Sequence, residues 1–274
     1  MPLHLQWRAA TRLPVEAEGL LPTALAPLEV AELARWPLKV GNASVELGEL
    51  FRIEGSSDDG RLVFEGDLRQ VRRLGQGMTA GTLTIRGDVG VELGAGMSGG
   101  TIDVEGTVGD RAGAAMRGGL LRIKGRAGNF LGAADPGARS GMREGVILVE
   151  GDVGDDVGLA MRRGLIAIAG AAGDGLGRAL IAGSIFAFGP VGRLAGAGMR
   201  RGTLALFGLP DPSDPDLLPT FAPGVRYRPP FVTIYLRRLG RWGFPVPESA
   251  FSGTFERYNG DLVERGQGEI LIAS

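Results

Sequence analysis

The chain has 274 residues, of which 48 are glycine, none is cysteine and one is histidine. Without cysteine there is no disulfide, thiolate nucleophile, thiolate zinc site or iron–sulfur ligation, and a single histidine offers no histidine pair for a metal. Lysine plus arginine number 30 against 31 aspartate plus glutamate, a formal net charge of -1, which excludes a global attraction to nucleic acid or anionic lipid.

In chain order, residues 1–60 read as an N-terminal cap segment. It holds a strand over Leu3 to Trp7, a short helix from Leu28 to Arg35 ended by Trp36-Pro37, and a strand-like run GELFRIEG. The start MPLHLQWRAATRLPVEAEG lacks a positive n-region followed by an apolar one, and no run of 18 apolar residues occurs. A cytoplasmic protein with no membrane partner is therefore expected. RLVFEG, residues 61–66, looks like an atypical first repeat.

The repeat itself emerges from an anchor column, Met78, Met97, Met116, Met142, Met161, Leu180 and Met199, whose successive intervals are 19, 19, 26, 19, 19 and 19. The longer interval carries seven extra residues, ADPGARS, whose composition is that of a loop. Glycine recurs three residues after each anchor (Gly81, Gly100, Gly119, Gly145, Gly164, Gly183, Gly202) and again nine after it, from Gly87 to Gly208. Between those two columns the positions five and seven after the anchor are aliphatic, as in Leu83/Ile85, Ile102/Val104, Ile147/Val149 and Leu204/Leu206. The positions between them are polar in the early repeats. This is a short strand with one buried face.

Strands that recur in the same order in every repeat pair most simply in parallel with their counterparts one repeat on. The predicted fold is all-β: a single-stranded parallel β-helix of about seven 19-residue coils over 61–209, with capping extensions at both ends. Right-handed winding is the general expectation for parallel crossovers. After Gly208 the run LPDPSDPD stops the repeat, and residues 210–274 read as a C-terminal extension packed on the helix or on a partner. That extension contains two strand-like runs, FVTIYL and GEILI.

Two outward features stand out. Phe186, Phe188 and Phe207 gather on adjacent coils, which a solvated face does not usually do. Either the C-terminal segment folds back over them or they form an interface with a partner subunit. Just after the anchors stand Arg117, Arg143, Arg162 and Arg200, with Arg163 and Arg201 beside them. Stacked coils would align these guanidinium groups as a receptor for a row of carboxylates or phosphates. With 28 arginines to two lysines, the same column is also what a biased base composition supplies as ordinary solvated residues.

Gly94-Ala-Gly96-Met-Ser-Gly99 matches the dinucleotide fingerprint, and Gly96-Met-Ser98-Gly-Gly100 matches the nucleophile elbow. Both lie inside the repeat, where the helix each requires has no room. Neither catalytic nor metal-ligating residues are assigned to this chain.

The coil LGAGMSGGTIDVEGTVG, the upstream GNASVELGELFRIEG and the terminal ERYNGDLVERGQGEILI resemble the C subunit of formylmethanofuran dehydrogenase and of its bacterial counterpart, the formyltransferase/hydrolase complex. The repeat region also resembles the glycine-rich C-terminal domain of the glutamate synthase large subunit. The resemblance implies a scaffold subunit in one-carbon metabolism and formaldehyde oxidation in methylotrophs. Its hetero-oligomeric partners would move a formyl group between tetrahydromethanopterin and a polyglutamylated furan carrier and release formate. Metal chemistry would reside in an amidohydrolase-like partner subunit, with no cofactor bound by this chain. The alternatives are the C subunit of a tungsten or molybdenum formylmethanofuran dehydrogenase and a stand-alone β-helical polyanion-binding protein. The furan carrier's glutamate tail makes the arginine column its expected receptor.

Overall fold

A computed structural model of the chain describes residues 2–56, 59–209 and 216–274. The N-terminal part contains β1 (Leu3–Trp7), β2 (Val15–Glu16), α1 (Pro22–Leu25), α2 (Val30–Ala34), β3 (Pro37–Val40), β4 (Ala43–Glu46), α3 (Leu47–Leu50) and β5 (Phe51–Glu54). The repeats supply β6 (Arg61–Glu65), β7 (Val71–Arg72), β8 (Thr82–Arg86), β9 (Ser98–Val104), β10 (Arg117–Ile123), β11 (Glu144–Val149), β12 (Leu165–Ile168), β13 (Ser184–Ala187) and β14 (Arg201–Leu206). The C-terminal part adds β15 (Ala222–Tyr227), α4 (Pro230–Arg241), β16 (Phe255–Gly260) and β17 (Gln267–Ala273). Most of the proline-rich break after Gly208 falls on residues 210–215, outside the described residues.

The fold is mostly β, and its principal sheet has 13 strands in the order β15-β16-β17-β14-β13-β12-β11-β10-β9-β8-β6-β1-β5. From β1 through β6, β8 and on to β14 and β17, every neighbour is parallel. The aliphatic columns stay in register, Leu83 beside Ile102, Ile102 beside Leu121 and Leu121 beside Ile147. A second parallel ladder runs through Leu68, Val89, Val108, Ala127, Val153, Ala172 and Val191. Both ladders point into one core, in which the anchors and the strand aliphatics are almost entirely excluded from solvent. Each aliphatic so buried contributes roughly 1.5–3 kcal/mol.

The glycine columns have separate physical causes. A Cβ added to Gly119 would lie 2.6 Å from the Met97 methyl, one added to Gly164 2.7 Å from the Met142 methyl, and one added to Gly268 2.5 Å from the Met199 methyl. Each anchor methyl thus fills the space that the next repeat's missing side chain leaves. Nine residues after the anchor the neighbour is backbone instead: a Cβ on Gly125 would meet the Gly106 carbonyl at 2.4 Å.

A polar column, not singled out by the sequence analysis, stitches the repeats from the side. The Asp110 carboxylate accepts the Asn129 backbone N–H at 2.7 Å. The Asn129 side chain accepts that of Asp155 at 2.8 Å, Asp155 that of Asp174 at 2.8 Å, and Asp174 that of Arg193 at 2.8 Å. The seven-residue insertion leaves this order intact. Asp135 to Arg139 are exposed, and Met142 returns to the anchor column fully buried.

The ends are closed by the chain itself. β1 pairs in parallel with β6 and places Leu3 and Leu5 in the core, and β5 covers β1 in antiparallel fashion. Phe51 packs edge-on against Trp7 at 5.0 Å and against Phe64 at 5.7 Å. At the other end β17 adds to β14 with Leu204 beside Ile270 and Leu206 beside Ile272, so the C-terminal strand continues the repeat register. β16 and β15 then cap it antiparallel.

Two expected strands are helical in part or whole: the GEL of GELFRIEG lies in α3, and only FRIE is strand. FVTIYL belongs to α4, which begins with proline at its first turn and buries Val232, Leu236 and Leu239. Aromatic and β-branched composition suggests strand, but the apolar residues recur at helical spacing and tertiary packing decides.

The interlock predicts unequal costs for two alanine substitutions. Gly96 has φ +66° with nothing within 4 Å of an added Cβ, and Ala115, Ala160 and Ala179 occupy its column at φ 52° to 53°. Gly96→Ala is expected to cost about 1 kcal/mol, whereas Gly119→Ala, strained and in collision with Met97, costs about 2–4 kcal/mol. Urea midpoints at unchanged m-value measure both.

Candidate functional site

The aromatic face lies under this chain's own C-terminal segment. Phe186 is 0% exposed and lies 5.3 Å from Tyr235 of α4. Phe188 stacks on Phe207 at 4.6 Å and meets Phe244 at 5.5 Å, and Phe207 meets Phe255 edge-on at 5.5 Å. Val232, Leu236 and Leu239 of α4 share a core with Leu148, Ala167, Phe186, Ala205 and Leu271. Phe186 therefore has no surface to offer a partner, which corrects the expectation of a subunit interface there, and Phe188 and Phe207 are half-buried in the same cluster. The physical reason is that a twelve-residue amphipathic helix supplies the apolar cover these rings require.

The arginines, by contrast, are all exposed, and the structure brings them together. Their stacking follows from backbone pairing: the N–H of Arg117 donates to the Met97 carbonyl, that of Arg143 to Met116, that of Arg162 to Met142 and that of Arg200 to Leu180, each at 2.7–2.8 Å. Arg117, Arg143, Glu144, Arg162 and Arg163 line one cavity of about 320 Å³. Arg162 and Arg163 also form one wall of a second cavity, of about 480 Å³, whose other wall is Arg200, Arg201 and Arg265.

That second recess exists because one repeat lacks the arginines. In the Leu180 repeat the two positions after the anchor are Ile181 and Ala182, which line the recess between the flanking arginine pairs. Glu264, Arg265 and Gln267, from the turn before β17 and the strand itself, complete it. Arg200 holds the Glu264 carboxylate at 3.2 Å, and Arg201 donates to the Gln267 side-chain oxygen at 2.9 Å. Arg143 donates to the Ser140 hydroxyl at 3.2 Å. Arg117, Arg162, Arg163 and Arg265 have no side-chain partner among the described residues.

Several arginines elsewhere are paired. Arg73 and Arg111 both reach Glu92, at 2.8 and 3.3 Å, and Arg111 also binds Asp135 at 2.7 Å. The hydrogen-bonded Arg73 guanidinium, with Arg111, holds the Glu92 carboxyl below its usual range. Arg122 meets Asp103 at 2.9 Å and Arg178 meets Asp156 at 2.6 Å. The ladder and its recess gather unpaired guanidinium groups around two cavities that share Arg162 and Arg163. The described residues contain no group of three or more His, Cys, Asp or Glu that could hold a metal ion, and no helix long and apolar enough to cross a membrane.

No family model matches the chain. It is 36% identical over 83 residues to the C subunit of molybdenum-containing formylmethanofuran dehydrogenase 1 of Methanothermobacter marburgensis, a match covering 30% of this chain and 21% of that relative. It is 35% identical over 81 residues to the C subunit of tungsten-containing formylmethanofuran dehydrogenase 2 of Methanothermobacter wolfeii, covering 28% of this chain and 30% of that one. The matches thus span less than a third of these curated relatives. Among solved structures, it is similar to a chain in the X-ray crystal structure of the formyltransferase/hydrolase complex (FhcABCD) from Methylorubrum extorquens in complex with methylofuran. The TM-score is 0.90 at 32% identity, covering 99% of each chain. The chain belongs to the C-subunit family of these complexes.

In this C subunit the residues that the sequence reading missed are Glu264, Arg265 and Gln267. Their signal was present: Gly268, Ile270 and Ile272 follow Arg265 by three, five and seven residues, the spacing found after every anchor. The turn carrying them is fixed by Asp261, which is 5% exposed and accepts the N–H of Gly198 at 2.9 Å and of Val263 at 3.1 Å. Burial pushes the Asp261 carboxyl up, but the N–H donors led by Gly198 outweigh it and leave the group below its usual range. Its stabilising contribution is therefore present above the unfolded carboxylate value of about 3.9 and lost as pH falls through the folded one. Asp261→Asn is expected to lower stability by about 1–3 kcal/mol at neutral pH. Denaturation of both proteins across the acid range should show that difference shrinking below about pH 4.

Proposed function

We propose that this chain is the non-catalytic structural subunit of a formyltransferase/hydrolase complex in one-carbon metabolism, acting in the cytoplasm. The observation that carries the reading is the likeness over 99% of both chains to a chain of such a complex, at 32% identity. The parallel pairing from β1 to β17 and the second ladder beside it support a finer reading of the fold as a right-handed parallel β-helix of about seven coils over 61–209. Residues 1–60 and 210–274 serve as its capping extensions. A core locked by interdigitated side chains gives a rigid body suited to holding partner subunits at fixed separation.

In such a complex the partner subunits transfer the formyl group between tetrahydromethanopterin and a polyglutamylated furan carrier and release formate, the metal residing in a partner. This serves formaldehyde oxidation in methylotrophs. The ladder Arg117, Arg143, Arg162, Arg163, Arg200 and Arg201 receives the carrier's glutamate tail. Its support is the exposure and spacing of these groups, one repeat being about 4.8 Å from the next. The curated relatives favour a second reading, the C subunit of a tungsten or molybdenum formylmethanofuran dehydrogenase, but over 30% of this chain or less for the first two matches.

A native pull-down of the tagged chain from its own host, with formyl-transfer and formate-release assays on the eluate and on the chain alone, tests the scaffold reading. An active multi-subunit eluate and an inert isolated chain are expected. A solitary chain would overturn the reading in favour of a free polyanion binder, and molybdenum- or tungsten-dependent formylmethanofuran oxidation by the eluate would select the dehydrogenase. Replacing Arg117, Arg143, Arg162 and Arg200 together by serine should weaken carrier binding at least about tenfold and flatten its salt dependence, because charge-assisted hydrogen bonds are lost. Unchanged affinity and slope would remove the ladder from the mechanism.

A further inference from the structure

The recess between the Arg162/Arg163 and Arg200/Arg201 pairs already contains a carboxylate of the chain itself. Five guanidinium groups line it, from Arg162, Arg163, Arg200, Arg201 and Arg265, against the single carboxylate of Glu264. The oxygens that two of them hold are a carboxylate, Glu264 on Arg200 at 3.2 Å, and an amide carbonyl, Gln267 on Arg201 at 2.9 Å. Those are the two kinds of oxygen that a chain of amide-linked glutamates carries. The remaining three arginines hold no partner among the described residues.

We propose that this recess is the anchoring point for a polycarboxylate and that Glu264 is its built-in competitor, which rejects single carboxylates and yields to several linked ones. The proposal rests on the carboxylate-binding reading of the arginine ladder and adds to it the residues Glu264, Arg265 and Gln267, the seat of tightest binding, and the selection by charge number. A tethered carboxylate sits beside Arg200 at a high effective concentration, of millimolar order for a short link. A free monocarboxylate must displace it for one ion pair, and an exposed pair returns little. A ligand with several carboxylates engages the unpaired Arg162, Arg163 and Arg265 as well, and can leave Glu264 in place or swing it aside.

Position supports this division of labour. Asp261 ties down the start of the turn through Gly198 and Val263, whereas the Glu264 side chain is 41% exposed and Arg200 61% exposed. The backbone of the turn is thus held while its carboxylate reaches into solvent, where a ligand can compete with it for Arg200. Ile181 and Ala182 contribute no competing charge to the lining.

The test is anisotropy titration of a short fluorescein-labelled poly-L-glutamate into the full-length chain, with acetate as competitor, for the parent, Glu264→Gln, Glu264→Ala and Arg265→Ser. Thermal melts confirm that each variant is folded. The parent should bind the probe and resist acetate. Both Glu264 variants should bind about three- to tenfold more tightly, the effect of removing one like charge from a partly screened site, and become sensitive to acetate. Arg265→Ser should bind more weakly. If the parent binds but neither Glu264 variant gains affinity or acetate sensitivity, the competitor role is overturned and the ladder reading survives. If neither the parent nor any variant binds the probe, the ladder reading falls and the proposal with it.

Discussion

Successive repeats can stack because each presents glycine where its neighbour presents a bulky side chain or a carbonyl. The methyl groups of Met97 and Met142 occupy the space that side chains at Gly119 and Gly164 would need, so anchor and glycine are two halves of one contact. The nine-residue column works differently, admitting the Gly106 carbonyl to within 2.4 Å of where a Gly125 Cβ would stand. Close approach at both columns sets the strand spacing at which the parallel hydrogen bonds form. The in-register aliphatic core follows from that spacing, since one register brings like positions together on every strand.

A stack of this kind has two open edges, each a template for unwanted pairing. At one end β1 and β5 close the sheet, with Trp7, Phe51 and Phe64 packed edge to face behind them. At the other end the chain leaves the repeat and returns, and β17 supplies the strand that the next repeat would have provided. The same return lays α4 over the aromatic face. Closing the edge and covering Phe186 are thus consequences of one excursion of the chain.

Charge is distributed by the same geometry. Any polar column becomes a ladder, and neighbouring repeats bring its members close. Asp110, Asn129, Asp155 and Asp174 tolerate this because each accepts a backbone N–H from the next repeat. Glu92 tolerates it by alternating with Arg73 and Arg111. The column after the anchors has few such compensations, so its guanidinium groups stand near one another with little counter-charge from the chain itself. A chain with a formal net charge of -1 therefore carries a concentrated positive site that its overall balance conceals.

Periodicity made much of this legible. The constant repeat length marked the anchors, the glycine columns and the inward aliphatics, because every repeat solves the same packing problem with the same residue types. It also placed the six arginines on one column or beside it. The arginine recess itself was not legible: it depends on Ile181 and Ala182 being small or uncharged between two arginine pairs, and on the distant turn at Glu264 and Arg265 closing over them. The helical state of FVTIYL was hidden for a related reason, since its partner surface is assembled from several repeats. The sequence by itself determined what is repeated and what each repeat buries, for those depend on contacts between equivalent positions. Only the tertiary structure decided what covers the aromatic face and what completes the recess, because both require the non-repeating C-terminal segment to return, and no period records where a chain returns.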